Sequence, residues 1–321
     1  MLKKFLSFFV LILSVSISLT VLGGCTNATK DYIFELKFHN NFKIMQLADI
    51  QVANIDACNE AFVEIDKLVK KEKPDLIILT GDNLEVPQHS NVLDTLVDNM
   101  ESYNIPWAPV FGNHDAEGIL TKDTMADKFI AAKNCIFYKR EDGVDGVGNY
   151  VINLKESGHK TAYSLFLIDS NMYDGQGGYD WIHTNQIEWY EQTVNFIKEQ
   201  NGEKTVPSLA FFHIPVPEFE DARISFENGE STGFGTFRER ISPGSINSGF
   251  FSVAKELGST KAIICGHEHI NNCDILYQGI RLVYGLKSSR FSYYNEDLLG
   301  ATIITLSSSA IDISNSYFAS I

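Results

Sequence analysis

The chain has 321 residues, of which 44% are hydrophobic and 21% charged; this is the composition of a globular protein with a substantial core, not of a disordered chain. Its 26 lysines and arginines stand against 41 acids, for a net charge of −15. With no Lys/Arg run to offset that excess, the sequence argues against nucleic acid or an anionic lipid surface as a partner, and no protein partner is evident.

Residues 1–24, MLKKFLSFFVLILSVSISLTVLGG, open on Lys3 and Lys4, continue as an uncharged apolar run and close on small residues. This is the layout of a secretory signal rather than of a folded element. The run ends in Leu22-Gly23-Gly24-Cys25, which resembles a bacterial lipobox, in which the cysteine becomes the lipidated first residue. The same run also reaches the roughly 20 residues that span a bilayer, so an uncleaved anchor is the alternative reading. Both place the body outside the cytoplasm and at a membrane, in the first case as a lipoprotein anchored through Cys25. Without residues 1–24 two lysines and no acid are lost, and the net charge becomes −17. An anionic substrate would then need a local cluster of cations, such as bound metal. Cys58, Cys135, Cys265 and Cys273 show no CxxC spacing, which argues against a zinc finger or a redox motif. Outside the cytoplasm they are free to form disulfides, whose pairing the spacing leaves open.

Residues 25–31 read as a tether and 32–321 as one domain, since no repeat or long Pro/Gly/Ser linker divides the rest. IFELKF (33–38) alternates like a half-buried strand, and FKIMQLADIQV (42–52) is an apolar run that stops on Asp49. ACNEAFVEIDKLVKKEK then places apolar residues at 61, 62, 65, 68 and 69 on one helical face, and Pro74 ends it. DLIILTGD is the next buried strand. A helix at 91–102, a strand in PWAPVFGNHD and a helix in TKDTMADKFIAAK follow. NYVINL and YSLFLIDS read as a hairpin, WIHTNQIEWYEQTVNFIKEQ as a long helix, SLAFFHIP as a strand, SGFFSVAKEL as a helix and KAIICGHEH as a strand. CDILYQGIRLVYGL and ATIITLSSSAIDISNSYF alternate like antiparallel strands. Apolar strands alternating with helices predict an α/β fold whose sheets the hairpins make mixed, with sites beyond the carboxyl ends of the strands.

Five such ends carry polar clusters: Asp49-Ile50-Gln51, Gly81-Asp82-Asn83, Gly112-Asn113-His114-Asp115, His213, and Gly266-His267-Glu268-His269. They hold four of the eight histidines in the chain. A lone buried histidine is usually a hydrogen-bonded core residue, but five clusters at equivalent positions point to a shared site. Imidazole, carboxylate and amide oxygen suit Zn, Mn or Fe. Only a carboxylate can bridge two ions, so a two-metal centre is the natural reading.

In this order, GDN, GNHD, a lone histidine after an apolar run and GHEH resemble the calcineurin-like metallophosphoesterase superfamily, over residues 42 to about 294. WIHTNQIEWY, FFHIPVPEF and GHEHINN followed by GIRLVYG are most similar to its purple-acid-phosphatase-like branch. The resemblance implies a layered α-β-β-α sandwich with two mixed sheets and a dinuclear site of divalent or trivalent ions, Fe, Mn or Zn. It implies Asp82 as the bridging carboxylate, Asp49 and His269 at a first metal, and Asn113, His213 and His267 at a second. It implies His114 as a general acid or phosphoryl stabiliser, and Asp115 is expected to hydrogen-bond it and raise its pKa; a plain turn residue is the alternative. The implied reaction is hydrolysis of a phosphate ester, a monoester first and a diester or nucleotide second, by in-line attack of hydroxide from a metal-acidified water.

The match departs at Gln51, where much of the superfamily has histidine, and at Glu85, where purple acid phosphatases have a tyrosine ligand. Gln51 is open to three readings: an amide-oxygen ligand, a position left to water, or a first site too weak for turnover. The last would make the chain a surface metal-binding module. A phosphate- or lipid-binding structural domain is a third class. Tyr173, Asp174 and the glycines of 174–180 are expected to border the site or to form a surface loop; Arg290 is expected to contact phosphate or to be salt-bridged; Trp181 and Trp189 are expected to pack on the sheet.

Overall fold

A computed structural model describes residues 30–139, 143–158 and 160–321; the signal-like run and Cys25 lie outside them. In chain order the first elements are β1 (Ile33–Lys37), β2 (Phe42–Leu47), α1 (Ile55–Glu72), β3 (Leu76–Thr80), α2 (Ser90–Ser102), β4 (Trp107–Val110) and α3 (Lys122–Ala131). Next come β5 (Tyr150–Lys155), β6 (Thr161–Leu167), α4 (Thr184–Gln200), β7 (Ser208–Phe211), α5 (Glu218–Glu227) and β8 (Thr232–Phe237). The chain closes with α6 (Phe250–Leu257), β9 (Thr260–Cys265), β10 (Asn271–Tyr277), β11 (Ile280–Tyr284), β12 (Gly300–Leu306) and β13 (Ile311–Tyr317).

The strands form two mixed sheets, one of eight strands in the order β1-β5-β6-β7-β9-β11-β10-β8 and one of five in the order β13-β12-β2-β3-β4. Neighbours β2, β3 and β4 run parallel, as do β6, β7 and β9; the antiparallel pairs are the three expected hairpins, β5-β6, β10-β11 and β12-β13, together with β8-β10 and β2-β12. Alternation along the central strands shows how the layers stack. Leu209, Phe211 and Ile264 enter one core together with Leu47, Ile78 and the apolar faces of α1 and α2, while Ala210, Phe212 and Ile263 enter a second core with Trp189, Tyr190 and Phe250. The order is therefore helix, sheet, sheet, helix, as the resemblance implied, with the larger core running between the two sheets and on beneath α1 to α3.

Local signals set the boundaries. Asn54 caps α1 by accepting from the Ala57 amide, and Lys73 closes it in the left-handed conformation, one residue before Pro74. Two elements went unread in the sequence, α5 and β8. α5 has three acids in its first turn and buries only Glu218, Phe219 and Ala222, so no apolar period marks it. β8 contains two glycines and lies largely exposed at the edge of its sheet. Trp189 packs against Phe166 and Tyr32, the core role expected of it. The four described cysteines are free thiols. Among the described residues no helix is long and apolar enough to cross a membrane.

Candidate metal centre

The ends of five parallel strands, three from one sheet and two from the other, deliver the polar residues to one cleft. Asp49 lies two residues past β2, Asp82 two past β3, Asn113 and His114 three and four past β4, His213 two past β7, and His267 and His269 two and four past β9. The backbone turns sharply there: Asp49 (φ 54°), Gln51 (φ 46°), Asp82 (φ 49°) and His267 (φ 82°) are all left-handed. Each such residue costs about 1–3 kcal/mol and persists only where its surroundings dictate it. Glycine is required beside them. A Cβ on Gly112 would sit 2.1 Å from Asp82 Oδ1, and one on Gly81 2.6 Å from His213 Nδ1.

Two buried groups of donors result, Asp49 with Asp82 and His269, and Asp82 with His213 and His267, each with ligand atoms within 4.8 Å of one another. Asp82 is common to both. His213 Nδ1 donates to the Thr80 carbonyl at 2.8 Å, and His269 Nδ1 to the Tyr293 carbonyl at 2.9 Å. Those bonds fix the tautomers and leave each Nε2 as the free donor atom. His213 Nε2 lies 3.1 Å from Asp82 Oδ2 and 3.2 Å from His267 Nδ1, and His269 Nε2 lies 3.5 Å from Asp49 Oδ1.

The electrostatics show that these side chains fit cations. Burial opposes charge on His213, yet the Asp82 carboxylate beside it pushes its pKa up to about 10. Burial and the neighbouring His213 drive His267 the other way, down to about 3. Burial also opposes charge on Asp82, but His213 and then His114 hold its carboxyl well below the usual range. Two imidazole nitrogens at 3.2 Å need a proton or a metal ion between them. Asn113 adds a buried Oδ1 with no hydrogen-bond partner among the described residues, while its Nδ2 donates to Tyr173 Oη at 3.0 Å. Asp49, His213, His267 and His269 thus converge around Asp82, a nitrogen and oxygen donor set that divalent ions take.

His114 stands at the rim, with its Nε2 4.0 Å from Asp82 Oδ2. Burial lowers its affinity for a proton, but Asp82 and Glu117 outweigh this and raise its pKa. The expected partnership with Asp115 is corrected here. Asp115 Oδ1 accepts from the Asn83 and Leu84 amides, and Oδ2 from the Gly112 amide and Asn83 Nδ2, so this carboxylate ties two site loops together. Glu117 takes the place expected of it, its Oε2 2.5 Å from His114 Nδ1 and its Oε1 accepting from Tyr173 Oη at 2.5 Å. The loop at 173–180 therefore does border the site, and the rings of Tyr179 and His267 meet at right angles with their centres 4.4 Å apart. Arg290 is not in the cleft; it pairs with Glu296 at 3.2 Å and lies over Phe318.

Gln51 meets a residue the sequence reading passed over. Lys287, 1% exposed, donates from Nζ to the Asp49 carbonyl at 2.6 Å and to Gln51 Oε1 at 2.9 Å, and Gln51 Nε2 points to Glu85 Oε2 at 3.4 Å. Lys287 follows β11 in YGLKSS, another apolar run that ends in a polar residue, and that signal was available. The cleft itself encloses about 110 Å³ and is lined by Gln51, Asp82, His114, Tyr179, His267 and Tyr293 among others.

The sequence profile of the calcineurin-like phosphoesterases matches residues 42–271. A protein of Arabidopsis thaliana named probable inactive purple acid phosphatase 29 is 30% identical over 289 residues, 78% of this chain and 73% of that protein. Phosphatase DCR2 of Saccharomyces cerevisiae is 30% identical over 264 residues, 72% of this chain but 44% of the yeast protein. Among solved structures, a dimetal phosphatase from Danio rerio superposes with a TM-score of 0.60 at 11% identity, covering 87% of this chain and 97% of its own, a likeness of fold.

Proposed function

The chain belongs to the calcineurin-like phosphoesterase family, and from that premise we propose that it hydrolyses phosphomonoesters with two metal ions held around Asp82. The observation that carries this reading is the convergence of both buried donor groups on Asp82, with His114 beside them at the rim. Asp49 and His269 complete the first position, and Asn113, His213 and His267 the second. When bound, the two ions supply the positive charge that accepts the phosphoryl group and acidifies the attacking water. The chain's own residues do the rest. Thr80 and Tyr293 orient the imidazoles, Asp115 fixes the loops, and His114, kept protonated by Asp82 and Glu117, delivers a proton to the departing oxygen. The cations also reconcile an anionic substrate with an acidic protein.

The test is phosphate release from a chromogenic monoester by the purified chain after chelation and after return of Mn, Zn or Fe. Activity lost on chelation and restored by one of these ions is expected, with two ions bound per chain; metal bound without turnover of any mono- or diester would favour the metal-binding module, a reading that the word "inactive" in a relative's name keeps in view. Metal must displace the proton of His213, so affinity is expected to rise with pH and to level off at about 10, where that proton leaves on its own. A flat profile would contradict this assignment.

The lipobox-like residues 22–25 support a place outside the cytoplasm, held at the membrane through Cys25. Cys25→Ser is expected to move the protein from the membrane fraction to the soluble one; an unchanged distribution would argue for the uncleaved anchor.

A further inference from the structure

We propose that Lys287 is a positioning residue that withdraws Gln51 from the first metal position, leaving Asp49, Asp82 and His269 as its protein donors. The inference rests on the two-metal reading above and concerns residues that reading leaves unassigned. A glutamine amide has one oxygen to offer a metal, and here that oxygen accepts from a buried ammonium at 2.9 Å. A metal ion on the same oxygen would bring two cations into near contact in a site with little water to separate them. The amide nitrogen faces the Glu85 carboxylate, so the Lys287, Gln51 and Glu85 order fixes which way the amide points.

Lys287 is itself held from both sides. Its backbone bridges Ala48, at the end of β2, and Leu299, before β12, and its carbonyl accepts from the Gly300 amide at 2.9 Å. The side chain therefore has a fixed origin, and its second bond, to the Asp49 carbonyl, ties it to the strand end that carries the first metal's carboxylate. Burial lowers the pKa of this ammonium to about 8, a fall that the nearby carboxylates of Asp49 and Asp82 oppose, and its two acceptors satisfy it in place of water.

A consequence follows for position 51. A neutral histidine has one lone pair. In front of Lys287 that pair would accept from the ammonium, and the other ring nitrogen would carry the proton, so the ring could not ligate. An imidazole at position 51 is then insufficient as a ligand unless Lys287 is also removed.

The experiment is a Mn²⁺ titration of the metal-free protein followed by electron paramagnetic resonance, which counts free ion and shows a spin-coupled signal when both positions fill. Asp49→Asn identifies the first position by weakening one of the two binding steps. Gln51→Ala and Gln51→His are each expected to leave that step within threefold of wild type, and Gln51→His with Lys287→Met to tighten it at least tenfold. Tenfold weakening in Gln51→Ala, or tenfold tightening in Gln51→His alone, overturns the proposal. So does a folded double variant that does not tighten. If Lys287→Met does not fold, the two single variants at 51 decide. A wild-type chain that binds no Mn²⁺ removes the two-metal reading itself and this inference with it, an outcome distinct from two steps that respond to Gln51.

Discussion

Asp82→Asn is expected to reduce phosphate release below detection and to cut bound metal from two ions per chain to one or fewer. Asp82 is the residue shared by the two buried donor groups, and its Oδ2 lies 3.1 Å from His213 Nε2. Asparagine keeps an oxygen to accept the His114 amide, now bonded to Asp82 Oδ1 at 2.8 Å, so the loop it braces is retained. What is lost is the negative charge that lets two cations sit side by side. Breaking a buried charge pair costs about 3–5 kcal/mol, and at about 1.4 kcal/mol per tenfold this corresponds to roughly two to three and a half orders of magnitude in affinity. The measurement is metal content by elemental analysis alongside turnover of a chromogenic ester, with circular dichroism as the check on folding. A folded Asp82→Asn protein with full activity would remove the two-metal reading.

How much of this was legible in the chain depends on the range of the forces involved. Asp49, Asp82, His213 and His267 each terminate an apolar strand, and a strand end is a local pattern; that a polar group stops an apolar run at several equivalent places is visible without coordinates. The α/β class with mixed sheets followed for the same reason, from alternating strands and helices bounded by Pro74 and by Gly-Asp and Gly-Asn turns, whereas the four-layer order was implied by the resemblance. The partnerships were not legible, because they join residues far apart in sequence. Asp115 is adjacent to His114, and adjacency suggested a hydrogen bond, but consecutive side chains in a turn point apart. Its oxygens go to amides at 83, 84 and 112, while His114 finds Glu117 three residues on. Lys287 meets Gln51 across 236 positions, a contact created when β2 and the segment after β11 are laid side by side. The edge elements α5 and β8 escaped for another reason, since neither buries enough apolar surface to write a period into the sequence.

His114→Ala is the variant expected to separate chemistry from metal binding. The imidazole lies outside both buried donor groups, with Nε2 4.0 Å from Asp82 Oδ2 and Nδ1 on Glu117, so its removal leaves the ligands of both positions in place. Metal content should remain at the wild-type value. A positioned general acid contributes roughly 10²–10⁴ to the rate, but only where the leaving oxygen needs a proton. An alkyl phosphate, whose alkoxide is a strong base, is expected to lose that full factor in kcat, whereas a nitrophenyl phosphate, whose phenolate departs unaided, should lose much less. The pH dependence carries the same signature. Asp82 and Glu117 raise the pKa of His114 against the effect of burial, so wild-type turnover of the alkyl ester should hold above the ordinary histidine range and then fall as the proton is lost. That alkaline limb should vanish in the variant. Equal losses on both esters together with loss of metal would instead make His114 a ligand or a structural support, and the proton would have to come from another group at the rim.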